Sequence, residues 1–137
     1  AECIGDAKWF IQQARDYGCE REVFGRPIAR NQGIQFPIAR AYSAMRSAEL
    51  MLNEAFRMYE AGQNPGEEAN LAKLQSADAS WQAAEACIQT FGGFGFATEY
   101  NIERKYREAR LYQVAPISTN LILSYIAEHV LKMPRSY

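Results

Sequence analysis

Residues 32–61 carry apolar side chains at alternating steps of four and three. The positions are Ile34, Ile38, Ala41, Met45, Ala48, Leu52, Ala55 and Tyr59. Such steps keep an apolar stripe on one face of an α-helix, so the pattern predicts one continuous helix of more than about seven turns. Pro37 lies inside the pattern. It costs little near the start of the helix, whereas deeper in the helix it would kink the axis.

The segment "AGQNPGEE" (61–68) interrupts the stripe. Gly62 suits the C-terminal end of the first helix, and Pro65 followed by two carboxylates suits the start of a second. The stripe then returns from Glu67 to Phe91. We also expect a helix in the opening segment, a short one at about 100–112, and a last one from about Ser118 to Lys132.

No segment alternates with period two and no run of β-branched residues occurs, which predicts no strands. Long helices joined by short loops fold back on each other, so the expected fold is an all-α, antiparallel up-down bundle. With 137 residues the chain makes one domain, residues 1–137. The helical pattern is already under way at Ala1 without a capping residue, which predicts a piece of a longer protein. A processed N-terminus is the alternative.

Composition excludes several classes of function. A net charge of −1 provides no broad basic surface for nucleic acid, and no apolar run approaches the roughly 18 residues of a membrane span. Cys3, Cys19 and Cys87 are odd in number and form no CxxC pair, which predicts buried, reduced thiols in a cytosol-like compartment. The only histidine, His129, follows Glu128 directly. Neither a di-metal site nor zinc is predicted, and no metal is expected.

The glycine-rich stretch "CIQTFGGFGFATEY" (87–100) has two interpretations. A Rossmann phosphate loop is excluded, because a long helix precedes these glycines where a strand is required. Gly92 and Gly93 fit a helix end, with Phe91, Phe94 and Phe96 packed beneath the turn. Because the C-terminus of a helix is negative, a nucleotide could bind here only if positive charge came from elsewhere.

The connector "EREVFGRPIARNQ" (20–32) could provide that charge through Arg21, Arg26 and Arg30. Arginine can direct two donors at a pyrophosphate, and the ring of Phe24 could cover a flat ring system. An arginine-rich connector is also typical of a solvated loop, so this segment does not decide the question alone.

Together the two segments are specific. The pattern Y-x-x-E-R-E-x-F-G-R-P-I-x-x-x-Q, then Q-x-x-G-G-x-G-F-x-x-E-Y and R-x-A-R-L-Y, resembles the C-terminal helical domain of the acyl-CoA dehydrogenases over about residues 3–132. The resemblance implies an FAD enzyme that oxidises the Cα–Cβ bond of an acyl-CoA to a trans-2-enoyl-CoA. It also implies a homotetramer or dimer, electron-transfer flavoprotein or a similar acceptor, and a cytoplasmic or mitochondrial-matrix location.

The family's cofactor residues carry over onto this sequence by position. Arg21 matches the arginine at the pyrophosphate, Phe24 the aromatic beside the cofactor, and Gln32 the glutamine after that loop. Gln89, Gly92 and Gly93 lie in the segment that lines the adenosine and pyrophosphate of a neighbouring subunit's FAD. Ser118 and Asn120 match a hydroxyl and an amide that touch the flavin.

One family element is altered. Many members carry Y-E-G-T-S, whose Glu is the catalytic base, but Ala115 and Pro116 occupy the Tyr and Glu positions here. This change has two explanations. Either the base lies about ten residues upstream of Gly5, before Ala1, as in some members, or the protein lacks ordinary dehydrogenase chemistry. Glu99 and Glu128 are fallback candidates that read better as loop and surface carboxylates. A non-catalytic helical module for assembly or binding is the alternative function.

Overall fold

The computed structural model describes residues 1–136, and most of them are helical. The helices are α1 (Glu2–Glu20), α2 (Gln32–Glu60), α3 (Gly66–Phe91), α4 (Ile102–Leu111) and α5 (Thr119–Tyr125), the last continued by a π-helical segment at Ile126–Val130. Short 3-10 turns lie at Ile28–Arg30, Gly92–Phe96 and Thr98–Tyr100. The predicted all-α class is confirmed.

The long helices begin and end where local sequence signals indicate. Gly62 takes a φ of +71°, and the N–H of Gln63 bonds to the carbonyl of Met58 at 2.9 Å, which closes the end of α2. Helix α3 starts directly after Pro65, with two glutamates in its first turn. Pro37 lies in the second turn of α2, where it leaves the helix unbroken.

Helices α1, α2 and α3 form an antiparallel bundle with α3 packed against both others and against α4. Cys3 near the start of α1 lies beside Leu52 and Ala72, whereas Gly18 near its end lies beside Ile34 and Thr90. Helix α2 therefore runs opposite to α1 and α3. The core is rich in alanine, which lets the helix axes approach closely, and its largest fully buried side chains include Phe10, Ile102 and Ile122.

The expectation that the chain has no strands is wrong at one place. Glu22–Val23 (β1) and Arg26–Pro27 (β2) pair antiparallel in the connector between α1 and α2. Phe24 and Gly25 form the turn with φ values of +53° and +74°. Two positive φ values match the right-handed twist of a tight hairpin. Strands of two residues are too short to show a period-two pattern, so the sequence could not reveal them.

The three cysteines differ in environment. Cys87 is fully buried, Cys3 is partly buried and Cys19 is exposed, so the expectation of buried thiols is wrong for Cys19. Burial raises the pKa of the Cys87 thiol to about 12, which keeps it protonated and unreactive. Within residues 1–136, no helix is both long and apolar enough to cross a bilayer, and no cluster of His, Cys, Asp or Glu side chains could hold a metal ion.

A charged pair joins α1 to α4. Lys105 Nζ lies 2.6 Å from Asp6 Oδ1, and these side chains are only 20% and 10% exposed. Burial alone would lower the pKa of Lys105, but hydrogen bonds to Asp6 and Glu108 outweigh it and raise the pKa above its usual value. The second oxygen, Asp6 Oδ2, is buried and has no hydrogen-bond partner among the described residues. The ammonium group of Lys105 therefore neutralises the poorly solvated carboxylate of Asp6.

Candidate functional site

Arg21 follows the last residue of α1 and is anchored through its backbone. Its N–H bonds to Tyr17 O at 2.8 Å, and its carbonyl accepts from the N–H of Ile28 at 2.9 Å, which closes the base of the hairpin. The guanidinium carbon lies 5.6 Å from the centroid of the Phe94 ring. Arg21 forms no ion pair within the described residues, so its charge is available to a ligand.

The glycines at the end of α3 have three different environments. Gly92 ends the helix with φ 57° and ψ −133°, a conformation that only glycine adopts readily, and the predicted helix stop is confirmed. Gly95 is buried, and a Cβ there would lie 2.9 Å from the Ile88 side chain. Gly93 faces open space, with nothing within 4 Å of where a Cβ would stand.

A cleft of about 490 Å³ brings the connector and the glycine stretch together. Its lining consists of Tyr17, Arg21, Val23, Ile28, Thr90, Phe91, Gly93 and Phe94. Residues 21 and 93 are far apart in sequence, yet they border one cavity. The structure thus places the cationic side chain of Arg21 and the backbone of Gly93, which carries no side chain, on the same cleft. A nucleotide at this helix end requires positive charge from another segment, and Arg21 can supply it.

The phenylalanines of this stretch do not all pack beneath the turn. Phe91 is buried and stacks on Tyr17 with ring centroids 4.0 Å apart, but Phe94 is 46% exposed and Phe96 is 72% exposed. The expectation is therefore wrong for Phe94 and Phe96. The 3-10 turn after Gly92 directs these two rings outward, and Tyr17 from α1 takes the place beneath the turn.

Phe24 stands at the tip of the hairpin with its side chain fully exposed. Its φ of +53° is disfavoured for a side chain with a Cβ, and turns of this kind prefer Asn or Asp at that position. A large apolar ring that no other residue of 1–136 covers, at a backbone position that disfavours it, indicates a binding role better than a folding role.

Gln89 borders a separate groove, and Gln32 immediately precedes another residue of its lining, Gly33. Gln32 is the exposed first residue of α2, and Gln89 lies in the last turn of α3. Gln89 lines a groove of about 540 Å³ with Gly33 and Arg40 of α2. Both glutamines thus lie at the same end of the bundle as Arg21 and Gly93.

Ser118 and Asn120 lie elsewhere. Ser118 Oγ accepts from Leu121 N at 3.3 Å and caps α5, and Asn120 is exposed in the first turn of that helix. The segment before them is attached to α3 near Asp78, whose carboxylate accepts from Gln113 Nε2 at 3.2 Å. From residue 78 to its end at residue 91, α3 advances about 20 Å. The candidate cofactor residues therefore form two groups at different levels of α3.

Sequence reasoning missed two carboxylates near the altered segment. Burial raises the pKa of Tyr112, and the neighbouring carboxylates of Glu2 and Asp6 on α1 raise it further. Their spacing of four residues places both on one face of α1, which could have signalled a shared partner. Pro116, at the usual base position, is exposed. Glu99 is exposed in a 3-10 turn and Glu128 is partly buried in the π-helical segment.

Gly92 and Gly93 form a matched pair for a stability test. We expect Gly92→Ala to lower the free energy of unfolding by about 1–3 kcal/mol, because alanine must adopt a strained backbone conformation. Gly93→Ala should change it by less than about 0.5 kcal/mol, since its Cβ would meet open space. Urea unfolding followed by circular dichroism measures both. Equal losses would contradict the assigned backbone conformations.

The chain is similar in sequence and in fold to known proteins. The family model described as acyl-CoA dehydrogenase, C-terminal domain, matches residues 1–131. The acyl-CoA dehydrogenase FadE12 of Mycobacterium tuberculosis is 35% identical over 139 residues, which cover 100% of this chain and 36% of that relative. Butyryl-CoA dehydrogenase from Megasphaera elsdenii superimposes with a TM-score of 0.90 at 25% identity, over 94% of this chain and 34% of that one. A structure described as an electron transferring flavoprotein of Acidaminococcus fermentans has a TM-score of 0.91 at 27% identity, over 95% of this chain and 34% of that one.

The chain belongs to the acyl-CoA dehydrogenase family and corresponds to its C-terminal domain. The predicted family is confirmed. The chain spans about a third of the length of the curated relatives it matches, 36% in the case of the Mycobacterium tuberculosis protein.

Proposed function

We propose that this chain is the C-terminal helical domain of an FAD-dependent acyl-CoA dehydrogenase, which oxidises the Cα–Cβ bond of an acyl-CoA to a 2-enoyl-CoA. The observation that carries the proposal is the cleft lined by both Arg21, which forms no ion pair within residues 1–136, and the open backbone at Gly93. Family membership supports the reaction class. The domain contributes part of the cofactor site and part of the subunit interface.

The described residues fit the pyrophosphate end of FAD. A diphosphate needs a cation with several donors and room for close approach, which Arg21 and Gly93 supply. The fully exposed ring of Phe24 is suited to cover a flat ring of the dinucleotide. When bound, FAD supplies the two-electron acceptor for Cα–Cβ oxidation. The chain's own residues bind and orient it.

The separation of the site residues supports an oligomeric arrangement. Ser118 and Asn120 are displaced along α3 from the cleft that holds Arg21 and Gly93. We propose that the first pair touches the flavin of its own subunit, whereas Arg21, Gln89 and Gly93 meet the FAD of a neighbouring subunit. A homotetramer satisfies both requirements, because each domain then serves two cofactors.

The catalytic base remains a separate proposal. Proline cannot accept a proton, so residue 116 cannot act as the base. We propose that a Glu about ten residues upstream of Gly5 takes the proton from Cα. The alternative is an atypical member without that base. We further propose a cytoplasmic location, or the mitochondrial matrix in a eukaryote, and an electron-transfer flavoprotein as acceptor, which the likeness to the Acidaminococcus fermentans structure supports.

Variants of the complete protein test the cofactor proposal. Arg21→Ala should weaken FAD retention, because the pyrophosphate loses a charge-assisted contact of about 1.5–3 kcal/mol. Gly93→Val should weaken it by filling the path of the cofactor. Arg107→Ala is the matched control, since it removes an exposed arginine whose ion-pair partner within residues 1–136 is Glu103 on the same helix. Flavin absorbance per protein measures retention. Unchanged flavin content in both site variants would overturn the assignment.

Self-association is expected through α2. Aromatic and aliphatic side chains that are more than half exposed run along this helix; they are Phe36, Tyr42, Leu50, Phe56 and Tyr59. Apolar surface of this extent favours a partner, most simply a second copy in a dimer or tetramer. Sedimentation at micromolar concentration should show this assembly. A monomer would count against it. The non-catalytic alternative also predicts assembly, but without flavin in the complete protein.

A further inference from the structure

The side chain of Arg21 has a defined aromatic neighbour, Phe94. Its guanidinium lies over the face of Phe94 and forms no ion pair within the described residues. A long arginine side chain on the surface otherwise samples many rotamers. Fixing one of them when a ligand binds costs conformational entropy, which reduces the binding free energy. Whatever restricts Arg21 therefore sets how readily it meets a phosphate.

Phe94 is itself well held, although 46% of it is exposed. Its ring makes edge contacts with Tyr17 at 6.5 Å and Tyr100 at 5.8 Å between centroids. Both of these tyrosines also pack on buried Phe91. The next residue, Gly95, is pressed against Ile88, which anchors the backbone of the turn. The ring is thus a fixed surface, attached to the core through a cluster of aromatic side chains.

We propose that Phe94 is a positioning residue that holds the guanidinium of Arg21 in place for a diphosphate in the cleft. This inference rests on the proposed function, because the diphosphate is that of the cofactor. A guanidinium that stacks its flat face on a ring keeps the N–H groups at its edge free for phosphate oxygens. Because phenylalanine is neutral, the ring restricts Arg21 without neutralising its charge. A carboxylate at residue 94 would restrict it but compete with the phosphate.

The test is a double-mutant cycle in the complete protein, read as the dissociation constant of FAD from fluorescence titration of the apoprotein. Phe94→Leu removes the ring face and keeps an apolar side chain, and Phe94→Tyr is the matched control because it keeps the ring. We expect Phe94→Leu to raise the dissociation constant about three- to ten-fold and Phe94→Tyr to change it less than about two-fold. In an Arg21→Ala background, Phe94→Leu should have no further effect.

Each outcome separates this inference from the proposed function. If Arg21→Ala leaves FAD binding unchanged, the role proposed for Arg21 fails and the positioning role fails with it. If Arg21→Ala weakens binding but Phe94→Leu does not, only the positioning role fails. If Phe94→Leu weakens binding equally with and without Arg21, the ring merely shapes the turn, and the inference is overturned. Thermal unfolding of each apoprotein confirms that all variants are folded.

Discussion

The 137-residue chain expressed alone is expected to purify without flavin and to leave an acyl-CoA unoxidised. Its described residues offer one edge of a cofactor site, the cleft with Arg21 and Gly93, and a second pair of contacts displaced along α3. An open cleft on one side of a dinucleotide gives little binding free energy, because association must first offset the loss of translational and rotational freedom. The position where many family members have their base is Pro116, which cannot accept a proton.

Absorbance at 450 nm of the purified chain and reduction of an acceptor dye on adding acyl-CoA measure this prediction. The complete protein from the parent gene is the positive control and should be yellow. If a Glu lies about ten residues before Gly5, the complete protein should also transfer electrons to the dye. A chain that copurifies with stoichiometric flavin and is bleached by an acyl-CoA would contradict the prediction. The base would then be sought among Glu99, Glu128 and the α1 carboxylates beside Tyr112.

Lys105→Ala is expected to lower the free energy of unfolding by about 2–4 kcal/mol, because it leaves the carboxylate of Asp6 buried without its cation. Asp6 Oδ2 already has no partner within the described residues, so the remaining charge would be poorly solvated. Arg107→Ala on the same helix is the control and should cost less than about 1 kcal/mol, since Arg107, which pairs with Glu103, is itself 72% exposed. Chemical denaturation at neutral pH measures both variants.

Two further measurements test whether the loss of stability in Lys105→Ala comes from the broken ion pair. Replacing both partners, as Asp6→Leu with Lys105→Met, should recover much of the loss, because no buried charge then remains. Since the folded pKa of Lys105 lies above its ordinary value of 10.5, the pair stabilises the protein fully below that pH. The contribution disappears as the pH rises through the folded pKa. The difference between wild type and Lys105→Ala should therefore shrink in strongly alkaline solution, and a constant difference would contradict the ion pair.

The course of the helices could be predicted from the sequence because the signals are local. The stripe along α2, the glycine after it and Gly92 after α3 each act within a few residues, so the pattern of apolar steps and helix ends is enough to place them. The motifs around Arg21 and Gly93 could also be identified from the sequence, because their residues occur in the order and at the spacing found in the family.

Only the tertiary structure decided which residues share a site. Arg21 and Phe94 meet because α1 and α3 run parallel and end at the same level, a consequence of packing that no local spacing encodes. The same packing places Glu2 beside Tyr112 and leaves Cys19 exposed. The hairpin turn at Phe24 could not be predicted for a different reason, because strands of two residues are too short to show a period-two alternation. Helical periodicity specifies which face of a helix is apolar, but the partner of each face depends on how whole helices pack together.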